Sequence, residues 1–455
     1  MALSTSSRIL DTIVAPITGQ GSAPVAIVRV SGSEAWRIAA GVFPSWPADV
    51  AHAQAYYGQF AHGDDGYAIR FEDGRSYTYE DTVEFFIHGS TASVSMLIEA
   101  CISLGARMAE PGEFTLRAFQ NGRIDLTEAE AVRDTIEAQT ERQLRLANDL
   151  RLGALNQEIA AIQEAVVSVL VAVEASVDFS EEIGELNVDM ASSTIESQLK
   201  QIDRLLATAN AGRILREGFR VAILGPPNAG KSSLLNAILG TERAIVTPNP
   251  GTTRDLIEEA VELDGLKVIL IDTAGLRETD DLAESLGVER SLSAVEGADK
   301  VWFVFDSETG ITDEDQRKIG MLQEMRRGHH PADAPLVVAN KSDLAMPSVE
   351  AQERAALAIV SAKTREGLEG LLKRTVMEAL AAPPNAPFIQ RRHKLPLQQA
   401  KEALQHCLAT LTNDRPHDLL SVDLQSAIAS LGEITGESAS VDMIDRIFHD
   451  FCIGK

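Results

Sequence analysis

The chain has 455 residues, a net charge of −26 at pH 7 and three cysteines, Cys101, Cys407 and Cys452. At about 150 residues per domain the length predicts about three domains. So few scattered cysteines exclude a disulfide framework or a cysteine metal cluster and favour a reducing, cytoplasmic compartment, and the acidic charge repels polyanions, so nucleic-acid binding needs a local basic patch.

No segment predicts export or membrane insertion. Residues 1–16 lack a charged region followed by an apolar core and a cleavage site. The longest apolar stretch, Ala165–Ala175, is broken by Ser168 and Glu174, and it is shorter than the ~20 residues that a spanning helix needs. We therefore expect no membrane segment.

Residues 1–122 are predicted to form an N-terminal α/β domain. Val25–Val30 and Thr82–Gly89 have the pattern of strands, and Ser93–Ala106 has the spacing of a helix. Residues 123–216 are predicted to be long helices, because a stretch rich in Ala, Leu, Glu and Gln follows a capping box with Thr127 as N-cap and Glu130 at N3.

Residues 217–380 are predicted to form a second α/β domain, which opens with a buried strand, a Gly-rich turn and a helix at Phe219–Gly240. Ala381–Pro387 has the composition of a linker, and residues 381–455 are helical again by spacing. The basic cluster QRRHK, Gln390–Lys394, is either a nucleic-acid patch or, as the more ordinary interpretation, a solvated surface at a helix start.

The segment GPPNAGKS, Gly225–Ser232, fits the phosphate-binding pattern G-x-x-x-x-G-K-[ST] between a predicted strand and a predicted helix. Its glycines let backbone N–H groups close around phosphates at a helix N-terminus, Lys231 reaches the β- and γ-phosphates, and the Ser232 hydroxyl ligates Mg²⁺. The alternative, a flexible Gly/Pro turn, leaves this lysine and serine unexplained.

Three further segments indicate which nucleotide binds. VILIDTAG ends a strand in Asp272, placed to hold Mg²⁺ through water, and Gly275 can offer its amide to the γ-phosphate. NKSD resembles the guanine-recognition motif of GTPases, in which the Asp343 carboxylate would accept from the guanine ring N–H and amine. SAK, Ser361–Lys363, resembles the loop that supports the base. The four segments together predict GTP.

The residue after DTAG is Leu276, whereas Ras-like enzymes carry a water-orienting glutamine there. Leucine cannot orient water, so hydrolysis needs another group. Arg254 is a candidate arginine finger or a surface ion pair. A monovalent cation is the alternative, held by the side-chain oxygen of Asn228 and by carbonyls of the loop Thr247–Thr253.

The chain's last five residues in the printed sequence are FCIGK, with a cysteine fourth from the end. A prenylation box has its cysteine there, but Gly454 and Lys455 do not fit that pattern. The more ordinary prediction is a C-terminal helix that ends on a buried Phe451 and Cys452.

These motifs, with DTIVAP, RVSG, PGEFTLRAFQNGRIDLTEAEAV, TPNPGTTRD, DTAGLRE, GEITGE and IFHDFCIGK, resemble the MnmE (TrmE) family of tRNA-modification GTPases over nearly the whole chain. The resemblance implies an α/β + α multidomain fold. It comprises an N-terminal α/β folate-binding and dimerisation domain, an all-α helical domain completed by the C-terminal segment, and an inserted Ras-like, doubly wound P-loop GTPase domain.

The resemblance also implies residue roles in the GTPase domain. K⁺ would be held by Asn228, Thr247, Asn249 and Thr252, and Mg²⁺ would be held by Ser232 and Thr253. Glu284 would position the hydrolytic water, with Glu289 as the alternative. Lys231 and Cys452 are the other candidate catalytic residues. The predicted GTP-binding residues are Asn228, Ala229, Gly230, Lys231, Ser232, Ser233, Thr247, Thr252, Thr253, Asp272, Thr273, Ala274, Gly275, Asn340, Lys341, Asp343, Ser361, Ala362 and Lys363.

For the remainder of the chain, the resemblance implies binding of 5,10-methylenetetrahydrofolate or a related folate by Arg29, Glu84, Arg123 and Lys455. Gly19–Val28 and His88–Thr91 depart from the family pattern on this side. It further implies a homodimer that joins an FAD-containing MnmG/GidA-type protein in a heterotetramer and modifies C5 of the wobble uridine of certain tRNAs to carboxymethylaminomethyl-type derivatives. The alternatives are a switch GTPase without tRNA chemistry and a prenylated membrane GTPase.

Overall fold

The computed structural model describes residues 11–19, 21–178, 186–240, 243–244, 257–272, 294–325, 334–347, 357–379, 387–412 and 418–454. They divide into two compact units. Unit 1 lies within residues 1–133, 150–198 and 399–455, and unit 2 within 134–149 and 199–398. The boundaries predicted at 122/123, 216/217 and 380/381 stay predictions.

Unit 1 contains a six-stranded sheet with the order β3-β4-β5-β2-β1-β6. Its strands are β1 (Ile13–Pro16), β2 (Ala23–Ser31), β3 (Ala55–Gln59), β4 (Asp65–Phe71), β5 (Thr82–Gly89) and β6 (Arg107–Met108). All neighbours are antiparallel except β1 and β6. The two strands expected from the sequence correspond to β2 and β5, so this part of the prediction is confirmed.

Helices α1 (Ala35–Val42) and α2 (Thr91–Ser103) pack against this sheet. They belong to one hydrophobic cluster with β2 and β5, in which Val28, Phe85 and Leu97 have no exposed surface. The helix α2 starts in the unusual HGST segment, because the Ser90 side chain accepts the amide of Ser93 and caps the helix.

Helix α3 (Glu113–Gln120) is followed by α4 (Leu126–Glu137). The predicted capping box at Thr127 and Glu130 is wrong by two residues. The side chain of Asp125 accepts the amide of Glu128 at 2.9 Å, and the Glu128 carboxylate accepts the amide of Asp125 at 2.9 Å. The box is therefore D-x-x-E, and Thr127 lies inside the first turn, where its hydroxyl donates to Asp125.

The expected run of long helices is confirmed. It consists of α5 (Glu141–Arg151), α6 (Ala154–Asp178), α7 (Val188–Ala207) and α8 (Ala209–Glu217). Within the described residues, one helical stretch, Glu141–Val177, is long and apolar enough to cross a membrane, and 28% of its most apolar window is buried. A core helix of a soluble protein passes the same test, so the absence of a membrane segment stays a prediction.

The C-terminal segment is also helical as predicted, with α12 (Arg391–Thr412), α13 (Asp418–Thr435) and α14 (Val441–His449). The QRRHK cluster is the start of α12. Within it, Gln390 and His393 are buried, and the Gln390 side chain donates to Asp134 at 3.0 Å. Two of its five side chains therefore serve internal packing and belong to neither a solvated surface nor an exposed basic patch, and the choice between the two interpretations stays a prediction.

Unit 2 contains a seven-stranded sheet with the order β13-β12-β11-β7-β10-β9-β8. Its strands are β7 (Phe219–Leu224), β8 (Arg243–Ala244), β9 (Ile257–Leu263), β10 (Leu266–Asp272), β11 (Lys300–Asp306), β12 (Leu336–Asn340) and β13 (Ala358–Ile359), and its helices include α9 (Lys231–Leu239), α10 (Asp313–Met325) and α11 (Leu368–Ala379). The strands β10, β7, β11, β12 and β13 run parallel.

The parallel strands of unit 2 place the sequence motifs together. The phosphate loop follows β7, DTAG and NKSD begin with the last residues of β10 and β12, and SAK begins two residues after β13. Because the carboxyl ends of parallel strands meet at one edge of a sheet, all four motifs begin at that edge. The strand order reverses at β7, with β11, β12 and β13 on one side of it and β10 on the other, so the doubly wound class predicted for residues 217–380 is confirmed.

Candidate functional site

The phosphate loop of unit 2 follows β7, the central strand of its sheet. At Gly225 a Cβ atom would lie 1.9 Å from the Val304 carbonyl oxygen, and at Gly230, where φ is +84°, it would lie 2.4 Å from Asn340 Nδ2. Asn228 adopts φ +62°, a conformation that asparagine tolerates better than most residues. The loop therefore needs its glycines for both close packing and backbone shape.

Lys231 starts helix α9 and is 9% exposed. Its Nζ donates to the carbonyl oxygens of Gly225 and Pro226, both at 2.8 Å. Burial lowers the pKa of this ammonium group, while the negative charge of Asp272 acts to raise it. The lysine is thus held across the loop, close to the backbone amides that the loop presents.

Ser232, in helix α9, and Asp272, at the end of strand β10, meet directly. The Ser232 hydroxyl donates to Asp272 Oδ2 at 2.9 Å, and Asp272 is 3% exposed at the end of β10. A hydroxyl and a carboxylate are hard oxygen donors of the kind that Mg²⁺ prefers. These two residues therefore fit a magnesium ion beside a phosphate.

The NKSD and SAK segments form a connected group beside the loop. Asn340 Nδ2 donates to the Ala229 carbonyl at 2.9 Å, and Asn340 Oδ1 accepts the Ala362 amide at 3.1 Å. The Ser361 hydroxyl donates to Asp343 Oδ1 at 2.6 Å. Asn340 thus ties the phosphate loop to the base-side segments, and Ser361 orients the Asp343 carboxylate.

Lys341 is fixed by a partner that the sequence did not indicate. Its Nζ donates to Asp306 Oδ2 at 2.7 Å, and this bond, the largest influence, lowers the pKa of Asp306 against the opposing effect of burial. Asp306 ends β11. Its position after a parallel strand was the only available signal.

The structure therefore brings Asn228, Ala229, Gly230, Lys231, Ser232, Ser233, Asp272, Asn340, Lys341, Asp343, Ser361, Ala362 and Lys363 to one sheet edge. Other predicted residues of this site lie outside the described residues: Thr247, Asn249, Thr252, Thr253, Arg254, Thr273, Ala274, Gly275, Leu276, Glu284 and Glu289. Their roles stay predictions.

A second group of residues lies in unit 1, around the C-terminal tail, residues 450–454. Phe448 and Phe451 are buried, whereas Cys452 is exposed, so the expectation of a buried cysteine is wrong. The Gly112 amide donates to the Cys452 carbonyl at 3.3 Å. Because the backbone of residue 452 is held while the phenylalanines fill the core, the thiol faces outward.

Gly454 fixes the next part of this tail. It is buried, its φ is +96°, and a Cβ atom there would lie 2.2 Å from the Pro16 carbonyl oxygen. Pro16 is the last residue of β1 and follows Ala15, the cross-strand partner of Arg29. The tail therefore packs against the end of β1, the strand that pairs with β2, on which Arg29 lies.

Arg29 and Glu84 are cross-strand partners on β2 and β5. Arg29 Nε and Nη2 donate to Glu84 Oε1 at 2.9 and 2.7 Å, and Arg29 is 7% exposed. Arg123 is exposed, and its guanidinium donates to the Tyr77 carbonyl. Buried Arg29 therefore fixes Glu84, while Arg123 faces solvent; Lys455 lies outside the described residues.

Gly112 and Tyr77 are the residues of this second group that sequence reasoning missed. Gly112 has φ +71°, and a Cβ atom there would lie 2.5 Å from the Phe448 carbonyl oxygen. The Pro-Gly pair before α3 indicates a turn, but no sequence signal connects it with a segment more than 300 residues away. Tyr77 has no local signal.

The sheet order, the phosphate loop and the connected NKSD and SAK segments define unit 2 as a P-loop GTPase-type domain. The family model for the MnmE helical domain matches residues 126–452, and that for the TrmE N-terminus matches residues 12–123. The chain therefore belongs to the MnmE (TrmE) family.

Full-length relatives agree with the family models. The tRNA modification GTPase MnmE of Moorella thermoacetica is 40% identical over 98% of this chain and 99% of its own length. The protein of the same name from Chloroflexus aurantiacus is 41% identical over 98% and 100%. A crystal structure of Aquifex aeolicus Era covers 40% of this chain and 66% of its own at 25% identity, with a TM-score of 0.28, too low for any conclusion.

Proposed function

We propose that this enzyme hydrolyses GTP and takes part in tRNA modification, with K⁺ stimulating hydrolysis and a folate supplying a one-carbon unit. The observation that carries the GTP part is the connection of the phosphate loop, Asn340 and the Ser361–Asp343 pair at one sheet edge. Family membership supports the link to tRNA.

The residues of unit 2 have separate tasks in this proposal. Lys231 and the loop amides neutralise the phosphate oxygens on which charge develops during transfer. Asp343, oriented by Ser361, accepts hydrogen bonds from the guanine edge, which adenine cannot donate in that arrangement. Bound Mg²⁺, held by Ser232 with Asp272 behind it, would supply further charge neutralisation.

A monovalent cation would replace an arginine finger beside the phosphates. Asn228 supports this proposal, since it is exposed on the phosphate loop with a side-chain oxygen to offer. Thr247, Asn249 and Thr252 would complete the site, and Glu284 or Glu289 would position the water.

The second group of residues in unit 1 supports a folate site. Glu84, held by Arg29, offers a fixed carboxylate to the N–H donors of a pterin, and exposed Arg123 suits the carboxylates of a glutamate tail. The docked tail of the same unit exposes the Cys452 thiol, and the residue after this tail is the predicted folate ligand Lys455. We propose that Cys452 acts in the tRNA chemistry and that a homodimer works with an FAD-containing MnmG/GidA-type protein.

The wobble uridine test is decisive for the tRNA part. Nucleosides from tRNA of cells that lack this protein should contain no carboxymethylaminomethyl-type wobble uridine by mass spectrometry, and a plasmid copy should restore it. Unchanged wobble nucleosides would refute this function and favour a switch GTPase.

The cation test is independent of tRNA. GTP turnover by the purified chain should be at least ~10-fold faster in K⁺ than in Na⁺ at equal ionic strength, because an ordered cation replaces a charge whose absence costs several powers of ten. Equal rates in the two salts would contradict the cation mechanism while leaving GTP hydrolysis itself intact.

A further inference from the structure

Tyr77 lies in the loop between β4 and β5 and is half-buried. The guanidinium carbon of Arg29 lies over its ring, 4.6 Å from the centroid. The guanidinium carbon of Arg123 also lies over this ring, at 4.8 Å. One aromatic side chain therefore contacts both arginines of the proposed folate site.

The ring is itself fixed at both ends. The Tyr77 hydroxyl forms a 2.9 Å hydrogen bond with Thr115 Oγ1 on α3, where Thr115 has no exposed surface. The Tyr77 carbonyl accepts a hydrogen bond from Arg123 Nη1. The ring also packs against the cluster of Ile13, Ala15, Ala109 and Phe114. It has little freedom to follow a moving arginine.

Arg29 depends on this environment. Two of its nitrogens are used by Glu84, and among the described residues Nη1 is buried without a hydrogen-bond partner. The Phe114 ring, at 5.3 Å, is the second aromatic neighbour of its guanidinium carbon. A desolvated guanidinium is attracted to the negative face of an aromatic ring, so the two rings offset the missing hydrogen bond.

We infer that Tyr77 is a positioning residue of this site: its ring holds Arg29, and with it Glu84, as well as Arg123 in the arrangement that binds a reduced folate. The inference rests on the proposed function. It assigns Tyr77 no contact with the ligand. Arg29 and Arg123 carry like charges, and the Tyr77 ring is the one aromatic side chain among the described residues that both guanidinium groups contact.

The test uses the full chain with 5-formyltetrahydrofolate as the probe and isothermal titration calorimetry as the measurement. Tyr77→Leu should weaken binding at least ~10-fold, because it removes a cation–π contact from each arginine. Tyr77→Phe keeps the ring and should stay within about 2-fold of wild type. The matched control Tyr67→Leu, half-exposed on β4, should also stay within about 2-fold.

A second readout does not depend on folate. The Arg29 Nε–H proton, protected by Glu84, should be observable by NMR and shifted by the Tyr77 ring current. Its resonance should move in Tyr77→Leu and stay in place in Tyr77→Phe. If Tyr77→Leu lacks the wild-type circular dichroism spectrum, Tyr77→Met replaces it.

The two failures are distinguishable. If wild type binds the folate and Tyr77→Leu binds equally well, the positioning role is overturned and the proposed function stands. If wild type binds no folate, the folate part of the proposed function fails. The positioning role is then decided by the Arg29 resonance alone, and an unchanged resonance in Tyr77→Leu overturns it.

Discussion

The GTP site of unit 2 and the tail site of unit 1 are built in opposite ways. In the GTP site, each motif is a short segment after a parallel strand, and the sheet brings the segments to one edge. In the tail site, Arg29, Glu84, Arg123 and Gly454 come from segments far apart in the chain. Antiparallel register pairs Arg29 with Glu84, and the C-terminal tail docks on β1.

The difference teaches what a local pattern can predict. A phosphate loop is recognisable because its geometry requires glycines and a lysine at fixed spacing. A salt bridge such as Arg29–Glu84 requires only two residues opposite each other on neighbouring strands, and many charged residues satisfy that. The GTP site should therefore respond to changes of single motif residues, and the tail site to changes of packing.

The largest expected effect is at the base side of the GTP site. Asp343→Asn replaces an acceptor by an amide that presents a donor to the guanine amine, so GTP affinity should fall about 100-fold, or about 3 kcal/mol. Xanthosine triphosphate carries a carbonyl in place of that amine and should bind the variant better than GTP does. Nucleotide titration measures both.

The matched control is Asp313→Asn, an exposed residue at the start of α10 in the same unit, which should keep the affinity for GTP. Retention of full GTP affinity in Asp343→Asn would remove the guanine assignment. It would also break the comparison, because a motif residue would then be dispensable.

A smaller effect is expected from packing at the tail. Gly454→Ala places a Cβ atom 2.2 Å from the Pro16 carbonyl, so the tail must leave its place, at a cost of about 1–3 kcal/mol. We expect tRNA modification to fall about 10-fold and the rate of GTP hydrolysis to change less than about 2-fold. Nucleoside mass spectrometry and phosphate release measure the two activities.

Gly63→Ala separates packing from backbone strain. Gly63 also has a positive φ, +97°, but no atom lies within 4 Å of the position of its Cβ. It should modify tRNA within about 2-fold of wild type. If Gly454→Ala and Gly63→Ala lost tRNA modification equally, backbone strain and not displacement of the docked tail would explain the loss.

The smallest effect concerns the charge network at the start of helix α3, in which the Glu113 carboxylate accepts hydrogen bonds from Arg107 and Arg117. Burial acts to raise the pKa of Glu113, but hydrogen bonds from Arg107 and the Glu110 amide and the charge of Arg117 hold it below the ordinary value of 4.5. The network thus stabilises unit 1 above pH 4.5, and its contribution is lost as pH falls through the lowered pKa.

Glu113→Gln should therefore lower the melting temperature by about 2 °C or more at pH 6, and the difference from wild type should shrink toward pH 3. Thermal unfolding followed by circular dichroism measures it. Glu99→Gln, an exposed change on α2, should match wild type at both values of pH. A difference between Glu113→Gln and wild type that grows toward pH 3 would contradict the assigned direction of the pKa.

The fold class followed from the sequence because both sheets and the long helices have strong periodicities. The clustering of predicted GTP-binding residues such as Lys231, Ser232 and Asp343 at one sheet edge followed as well, since they lie in motifs whose spacing the chemistry dictates; their roles stay predictions. The N-cap of α4 was misplaced because TEAE and DLTE both fit the pattern and only the hydrogen bonds of Asp125 distinguish them. Tyr77, Asp306 and Gly112 were missed because their partners are distant in sequence.

The contact between Gly454 and Pro16 joins strand β1 to a residue that is translated more than 400 residues later. At a synthesis rate of about 5–20 residues per second, tens of seconds pass between the synthesis of β1 and the synthesis of the segment that covers it. The described residues of the candidate GTP site all lie between residues 225 and 363, so they are translated earlier than residue 454. During synthesis the chain should therefore be able to bind nucleotide before its second site exists, and a chain truncated before residue 454 would hydrolyse GTP without the coupled chemistry.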